Sequence, residues 1–230
     1  MTRPADALSA PAGTVTDMCA SYGLDPRFSD PDNILAGDQK LLDNLRTWAI
    51  QNDGETLLPT GKHLRNLNPI IVDRGGHLTF EMGWWGYLVG GEPAKFPSIN
   101  TRSERLMGRR GSQPERAIVP ATAWFEMQKP SRQWYQFAAS ELELLALAAV
   151  AQPGRTADGE WFTCYSIVMR PAPSRLAPVH ERAPLTIPAA FVDDWLSNTA
   201  SVSHDLVAEA TAESDIILDS IHPIAIRARP

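Results

Sequence analysis

The spacing of hydrophobic residues predicts three helices, one before the middle of the chain and two near its end. Leucines and a tryptophan recur at helical spacing within residues 38–51, and Asp38 is a plausible N-cap. Residues 188–198 are predicted to form a second helix, with Pro188 near its first turn. A third helix is predicted to begin at Ser203, because serine is a good N-cap.

Between these helices the chain has the short apolar runs that are typical of β-strands. Turn residues at 74–76 and 129–131 separate neighbouring runs, and Pro120 is predicted to break one run from the next. Residues 142–151 fit a helix by their Leu and Ala content, or a buried strand by their length and position. The other predicted strands are residues 70–72, 78–82, 117–119, 123–127, 134–138, 161–169 and 216–226.

This order of elements predicts an α+β fold, a single domain whose β-rich, mostly antiparallel core is flanked by helices. Residues 1–17 are rich in Ala, Pro, Thr and Asp without periodicity, so we expect a disordered leader followed by a domain over residues 18–230. The longest apolar run, residues 144–151, is too short to span a bilayer, and the leader lacks the apolar core of a signal peptide. We therefore expect a cytoplasmic protein with no membrane partner.

The net charge of −6 counts against a broad phosphate-binding surface, although a local basic groove stays possible. Five arginines lie between residues 100 and 116, and by composition they favour a solvated loop. The two cysteines, Cys19 and Cys164, have no zinc-like spacing, and we expect no metal and no cofactor. Cys19 lies at the border of the leader, where a reactive thiol and a packing residue are equally plausible.

Three further segments carry residues suited to chemistry. Glu126 lies between aromatic residues and either faces solvent from a strand or sits in an apolar pocket that raises its pKa. His180 lies in a loop between prolines, as a proton shuttle or as a structural histidine. Asn100 can orient a reacting group and Arg102 can bind a phosphate. A cysteine, a histidine and a glutamate permit nucleophilic catalysis without requiring it.

Taken in order, these segments resemble the SOS-response-associated peptidase family. That family starts with Met-Cys-Gly-Arg and continues with Ala-Pro-Thr, Trp-Gly-Leu-Ile-Pro, Asn-Ala-Arg-x-Glu, Arg-Cys-Leu-Val-Pro-Ala-x-x-Phe-Tyr-Glu-Trp, His-x-Arg-Met-Pro and Trp-Leu. The similar segments here are residues 18–22, 58–60, 85–88, 100–104, 116–127, 180–184 and 195–196. Their order and spacing are more specific than any one of them. The resemblance favours a strand over residues 142–151.

The resemblance implies a protein that traps abasic sites in single-stranded DNA, in the cytoplasm and at the nucleoid. The amine and thiol of an N-terminal Cys19 would condense with the sugar aldehyde to give a thiazolidine. Glu126 and His180 would then move protons, and Asn100 would position the sugar or the cysteine. The family's DNA contacts map to Arg102, Trp85 and Pro59. The peptidase activity would be self-cleavage that frees Cys19.

The chain departs from the family pattern at several positions. Eighteen residues precede Cys19, so its amine is free only if translation starts at Met18 or the leader is removed. Ser21 replaces the family arginine, and Ala183 replaces the methionine of the histidine segment. Two alternatives follow: a single-stranded-DNA-binding module that has lost the covalent step, and a cysteine hydrolase that uses Cys19, His180 and Glu126.

Overall fold

The computed structural model of the chain describes residues 21–54, 67–94, 98–107, 114–129, 131–197 and 204–227. Several predictions fall on other residues and lie outside this described part. They are the leader over residues 1–17, the roles of Cys19 and Pro59, the cap at Ser203, and Arg109 and Arg110 of the arginine cluster.

The described residues are rich in strands and include four α-helices. The helices are α1 (Gln39–Gln51), α2 (Ser103–Met107), α3 (Val192–Leu196) and α4 (His204–Ser220). The strands are β1 (Ser21–Gly23), β2 (Leu67–Asp73), β3 (Leu78–Trp85), β4 (Leu88–Val89), β5 (Glu92–Pro93), β6 (Asn100–Arg102), β7 (Glu115–Ala121), β8 (Ala123–Gln128), β9 (Gln133–Ala138), β10 (Leu145–Arg155), β11 (Trp161–Pro171), β12 (Arg182–Pro184), β13 (Thr186–Ile187) and β14 (Ile224–Ile226).

Five strands form a small closed barrel. In order around the barrel they are β11, β3, β2, β7 and β10, and β10 returns to pair with β11. Each pairing is antiparallel except that of β11 with β3, so the predicted mostly antiparallel core is confirmed. A second, antiparallel sheet has the order β1-β8-β9-β14.

Strand β7 and most of strand β10 of the barrel are buried on both faces. Along β7, Ile118 joins one hydrophobic cluster with residues of α1 and α3, while Ala117 and Val119 join a second cluster. The second cluster also holds aromatic residues of β1, β8 and β9. Residues 145–151 are all buried, which explains why this stretch is a strand despite its helix-forming composition.

The sequence-based elements agree with the structure in most places. Helix α1 begins after Asp38, whose side chain accepts hydrogen bonds from the backbone N–H groups of Lys40 and Leu41. The second predicted helix is shorter than expected. It consists of a 3-10 turn over Ala189–Phe191, with Pro188 as its N-cap, and α3.

Two predictions about strands were wrong. Pro120 does not break a strand but lies inside β7, beyond the part that pairs with β2, where a proline is tolerated more easily. The break falls at Thr122, whose N–H donates to the Gly23 carbonyl. Residues 216–220 belong to α4 rather than to a strand, because the helix buries Ser214 and Leu218 at helical spacing and leaves Ile216 exposed.

Candidate functional site

Glu126 is a buried carboxyl on β8. It shares a strand face with Trp124, which stacks on Phe137 of β9 at 5.0 Å between ring centroids. Only 4% of Glu126 is exposed, and burial raises the pKa of its carboxyl well above the ordinary value. Among the residues that the structure describes, Oε1 has no hydrogen-bond partner. Glu126 therefore occupies the apolar pocket rather than the solvent-facing position.

His180 lies next to Glu126, although 53 residues separate them in the chain. Its Nδ1 is 4.0 Å from Glu126 Oε1, and its side chain is 10% exposed. The loop before His180 is held by the Gln128 side chain, which donates to the Pro178 carbonyl at 2.8 Å. The structure thus brings together two of the residues that the sequence singled out for proton transfer.

The backbone of Arg182 holds one nitrogen of the His180 ring. The Arg182 N–H donates to Nδ1 at 3.1 Å, and the Arg182 carbonyl lies 2.9 Å from the same nitrogen. An unprotonated Nδ1 accepts the first bond, and a protonated Nδ1 donates the second. Nδ1 therefore has a backbone partner in either protonation state.

The arginine and histidine segments meet across one end of β11. Arg102 of β6 and Pro184 of β12 pair with Met169 from opposite edges of β11. Two strand spacings, about 10 Å, separate them. The Arg182 side chain closes this gap, because its NH1 donates to both carboxylate oxygens of Glu104 at 2.7 and 3.0 Å.

Of the other predicted site residues, some are buried and others are exposed to solvent. Asn100 is buried at the start of β6, opposite Ile167, and Arg102 is exposed at its end. Arg116 of the arginine cluster is buried and its Nε donates to the Trp195 carbonyl, so it is no part of a solvated loop. Arg105 is exposed.

Trp85 is a packing residue in this structure. It is 1% exposed, its Nε1 donates to the Ile99 carbonyl at 2.9 Å, and its ring contacts Tyr22 edge-on and Tyr165 face-on. Base stacking needs an accessible ring face, which this arrangement does not offer. A sequence motif does not distinguish an exposed tryptophan from a buried one.

The sequence assigned no role to three residues that shape the site. Glu104 and Arg182 lie within the segments that resemble the family, and their opposite charges are the signal in the sequence that could have paired them. Lys129 lines a cavity of about 290 Å³ together with Met127, His180, Glu181 and residues 177–179. The cavity therefore lies beside His180.

In the described part of the chain, no group of three or more His, Cys, Asp and Glu side chains is placed to hold a metal ion. In the same residues, no helix is long and apolar enough to cross a membrane.

The chemistry that the arrangement offers is proton transfer between a buried acid, a neighbouring imidazole and a reactant in the cavity.

The comparison with protein families gives a match over most of the chain. The model of the family described as SOS response associated peptidase (SRAP) matches residues 58–223, and Cys19 lies before this range. No protein of curated function matches the sequence.

Three solved structures have a similar fold. A phage-related protein from Bordetella bronchiseptica has a TM-score of 0.56 at 18% identity, with 91% of this chain and 95% of that one covered. A second protein from that organism has a TM-score of 0.54 at 20% identity, with 70% and 84% covered. A Bacteroides thetaiotaomicron protein has a TM-score of 0.51 at 18% identity, with 69% and 73% covered.

Proposed function

Because the chain belongs to the SOS response associated peptidase family, we propose that it traps abasic sites in single-stranded DNA through Cys19. Family membership supports a role in the response to DNA damage and an enzymatic activity of the peptidase class. The covalent reaction, its substrate and the self-cleavage that would free Cys19 are the proposal. The observation that carries it is the buried Glu126 carboxyl 4.0 Å from His180.

The chain geometry supports delivery of Cys19 to this pair. Ser21 pairs with Phe125, next to Glu126, and Cys19 is two residues before Ser21. Two peptide units limit the distance between the Cα atoms of Cys19 and Ser21 to about 7 Å. Met127, two residues after Phe125, lines the cavity beside His180.

The proposed reaction begins with addition of the Cys19 α-amine to the aldehyde of the abasic sugar, and loss of water gives a Schiff base. The thiol then adds to the imine carbon and its proton passes to the nitrogen, which closes a thiazolidine ring. Glu126, whose carboxyl pKa is raised by burial, donates the proton that lets the hydroxyl leave as water. His180 accepts the thiol proton and returns it to nitrogen.

Two more residues complete the proposal. Asn100 would position the sugar or the cysteine, and the exposed Arg102 would bind a flanking phosphate. Because the net charge is −6, binding should rest on few cationic contacts and weaken with added salt. Before trapping, the peptide bond that precedes Cys19 must be hydrolysed, or translation must start at Met18 with removal of the methionine.

Intact-mass measurement of the full-length protein, before and after mixing with a single strand that contains an abasic site, tests this proposal. We expect a mass that begins at Cys19 and a one-to-one adduct that survives denaturation. Cys19→Ala should abolish the adduct. Cys164→Ala is the matched control and should retain it, because Cys164 is buried and burial raises the pKa of its thiol.

A protein with a free Cys19 amine that forms no adduct would overturn the covalent mechanism. Reversible, salt-sensitive binding that is the same in Cys19→Ala would identify a binding module. Turnover of a peptide without DNA would identify a cysteine hydrolase. If the protein is unprocessed and forms no adduct, the measurement is repeated with a chain that starts at Met18. Failure of that chain to react also contradicts the proposal.

A further inference from the structure

The ion pair between Glu104 and Arg182 joins two segments that lie far apart in the sequence. Arg182 NH1 contacts both carboxylate oxygens of Glu104, which begins the short helix α2 with Ser103. The arginine side chain is 15% exposed and the glutamate side chain 43% exposed. Burial acts to raise the pKa of the Glu104 carboxyl, but hydrogen bonds from its own backbone N–H and from Arg182 hold that pKa below its ordinary value.

The same arginine holds the His180 ring through its backbone. Nδ1 lies between the Arg182 N–H, at 3.1 Å, and the Arg182 carbonyl, at 2.9 Å. A movement of the Arg182 backbone therefore moves the ring or breaks one of these contacts.

Arg182 occupies a non-hydrogen-bonded position of the β11–β12 pair. Strand β12 has three residues, and Arg182 lies opposite Pro171 of β11. The Ala172 N–H donates to the Glu181 carbonyl at 3.0 Å, so by the alternation of an antiparallel ladder the next pair, Pro171 and Arg182, exchanges no ladder hydrogen bond. The N–H and carbonyl of Arg182 therefore point away from β11 and meet the His180 ring instead. The side-chain contact with Glu104 adds a restraint on Arg182 to the ladder bonds of its neighbours.

We propose that Glu104, acting through Arg182, is a positioning residue that fixes the imidazole of His180 beside Glu126. The ion pair holds the Arg182 side chain, the Arg182 backbone holds Nδ1, and the ring keeps its place at the cavity. Its role in trapping rests on the proposed function, whereas the position of the ring does not.

The test records the ¹⁵N chemical shifts of the His180 ring, which report the protonation and hydrogen bonding of each nitrogen, in protein without DNA. A His180→Gln variant assigns the signals among the five histidines. In Glu104→Ala we expect the Nδ1 shift to move and its signal to broaden. Glu104→Gln keeps one acceptor oxygen and should give an intermediate shift.

Asp215→Ala is the matched control. Asp215 is paired with Arg170 at 2.6 Å, with side-chain exposures of 53% and 7%, and Arg170 lies opposite Ala183, next to Arg182 in β12. Both variants lose an ion pair of similar burial, so we expect similar shifts in melting temperature. Only Glu104→Ala should change the His180 signals and slow trapping, by about tenfold.

Unchanged His180 shifts in Glu104→Ala would overturn the positioning role, and so would an equal change in Asp215→Ala. If the wild-type protein traps no abasic DNA but Glu104→Ala still moves the His180 shifts, the proposed function fails and the positioning role stands. If the wild-type protein traps abasic DNA but the His180 shifts do not change in Glu104→Ala, the positioning role fails and the proposed function stands.

Discussion

Two regions of the molecule, each with buried polar groups, treat those groups differently. In the aromatic cluster of Tyr22, Trp85 and Tyr165, the two tyrosine hydroxyls are 2.6 Å apart, Asn68 also hydrogen-bonds Tyr165, and Trp85 Nε1 donates to the Ile99 carbonyl. At Glu126, the described residues offer Oε1 no hydrogen bond, and His180 Nδ1 stops at 4.0 Å.

The difference separates groups that build the fold from groups that are available to a reactant. A buried polar atom with a partner adds to stability, whereas one without a partner costs free energy and persists where something else selects for it. The aromatic cluster holds β1 against the barrel. Glu126 keeps an oxygen available to accept a proton or a hydrogen bond from a substrate. Because the carboxyl is buried, its ionised form lowers the stability of the fold.

The largest expected effect is a loss of activity in Glu126→Gln. The amide keeps the shape of the carboxyl but cannot exchange a proton, so we expect the rate of abasic-site trapping to fall by about 10²–10⁴-fold. The rate is measured by the appearance of the denaturation-resistant adduct. Glu160→Gln, on an exposed glutamate before β11, is the control and should react at the wild-type rate. An unchanged rate in Glu126→Gln would remove Glu126 from the mechanism.

The second expected effect is a loss of stability in Tyr165→Phe. The variant loses the hydrogen bonds with Tyr22 and Asn68 inside a buried cluster, so we expect the free energy of unfolding to fall by about 1–3 kcal/mol. Urea denaturation at pH 5, with Glu126→Gln measured alongside, checks this. The comparison predicts that Glu126→Gln destabilises less than Tyr165→Phe, and the opposite ranking contradicts it.

The pH dependence of stability sharpens the comparison further, with the smallest effect. Burial raises the pKa of Glu126 in the folded protein, so the folded state holds this proton to a higher pH than the unfolded state does. Wild-type stability relative to Glu126→Gln should therefore be greatest below about pH 4.3, the ordinary value, and fall as pH rises through the folded pKa. A pH-independent difference between the two unfolding free energies would show that Glu126 does not titrate as expected.

The elements of the fold were largely predictable from the sequence, since local patterns govern them. Helix α1 follows from its hydrophobic spacing and Asp38 cap, and the β2–β3 hairpin from two apolar runs around a glycine turn. Residues 142–151 were ambiguous because burial on both faces removes the periodicity that distinguishes a strand from a helix. Residues 216–220 were assigned wrongly because Ile216 is apolar yet exposed.

The candidate site was predictable as a set of residues but not as an arrangement. The motifs pointed to Glu126 and His180, and the structure brings them together. They also pointed to Trp85 as a DNA contact, and there the structure buries the ring, which packs against Tyr22 and Tyr165. The roles of Cys19, Pro59, Asn100 and Arg102 stay predictions.

By itself, the sequence determined the fold class, the family and which residue types are available for chemistry, because those follow from local spacing and from the order of short motifs. Only the tertiary structure decided which of them are buried and which meet. Glu126 is an apolar-pocket acid rather than a surface carboxylate because β8 turns it toward the same side as Trp124. Glu104 reaches Arg182 because β6 and β12 flank the same end of β11. Burial and contacts between distant segments depend on how strands pair across the barrel, and no local pattern records that.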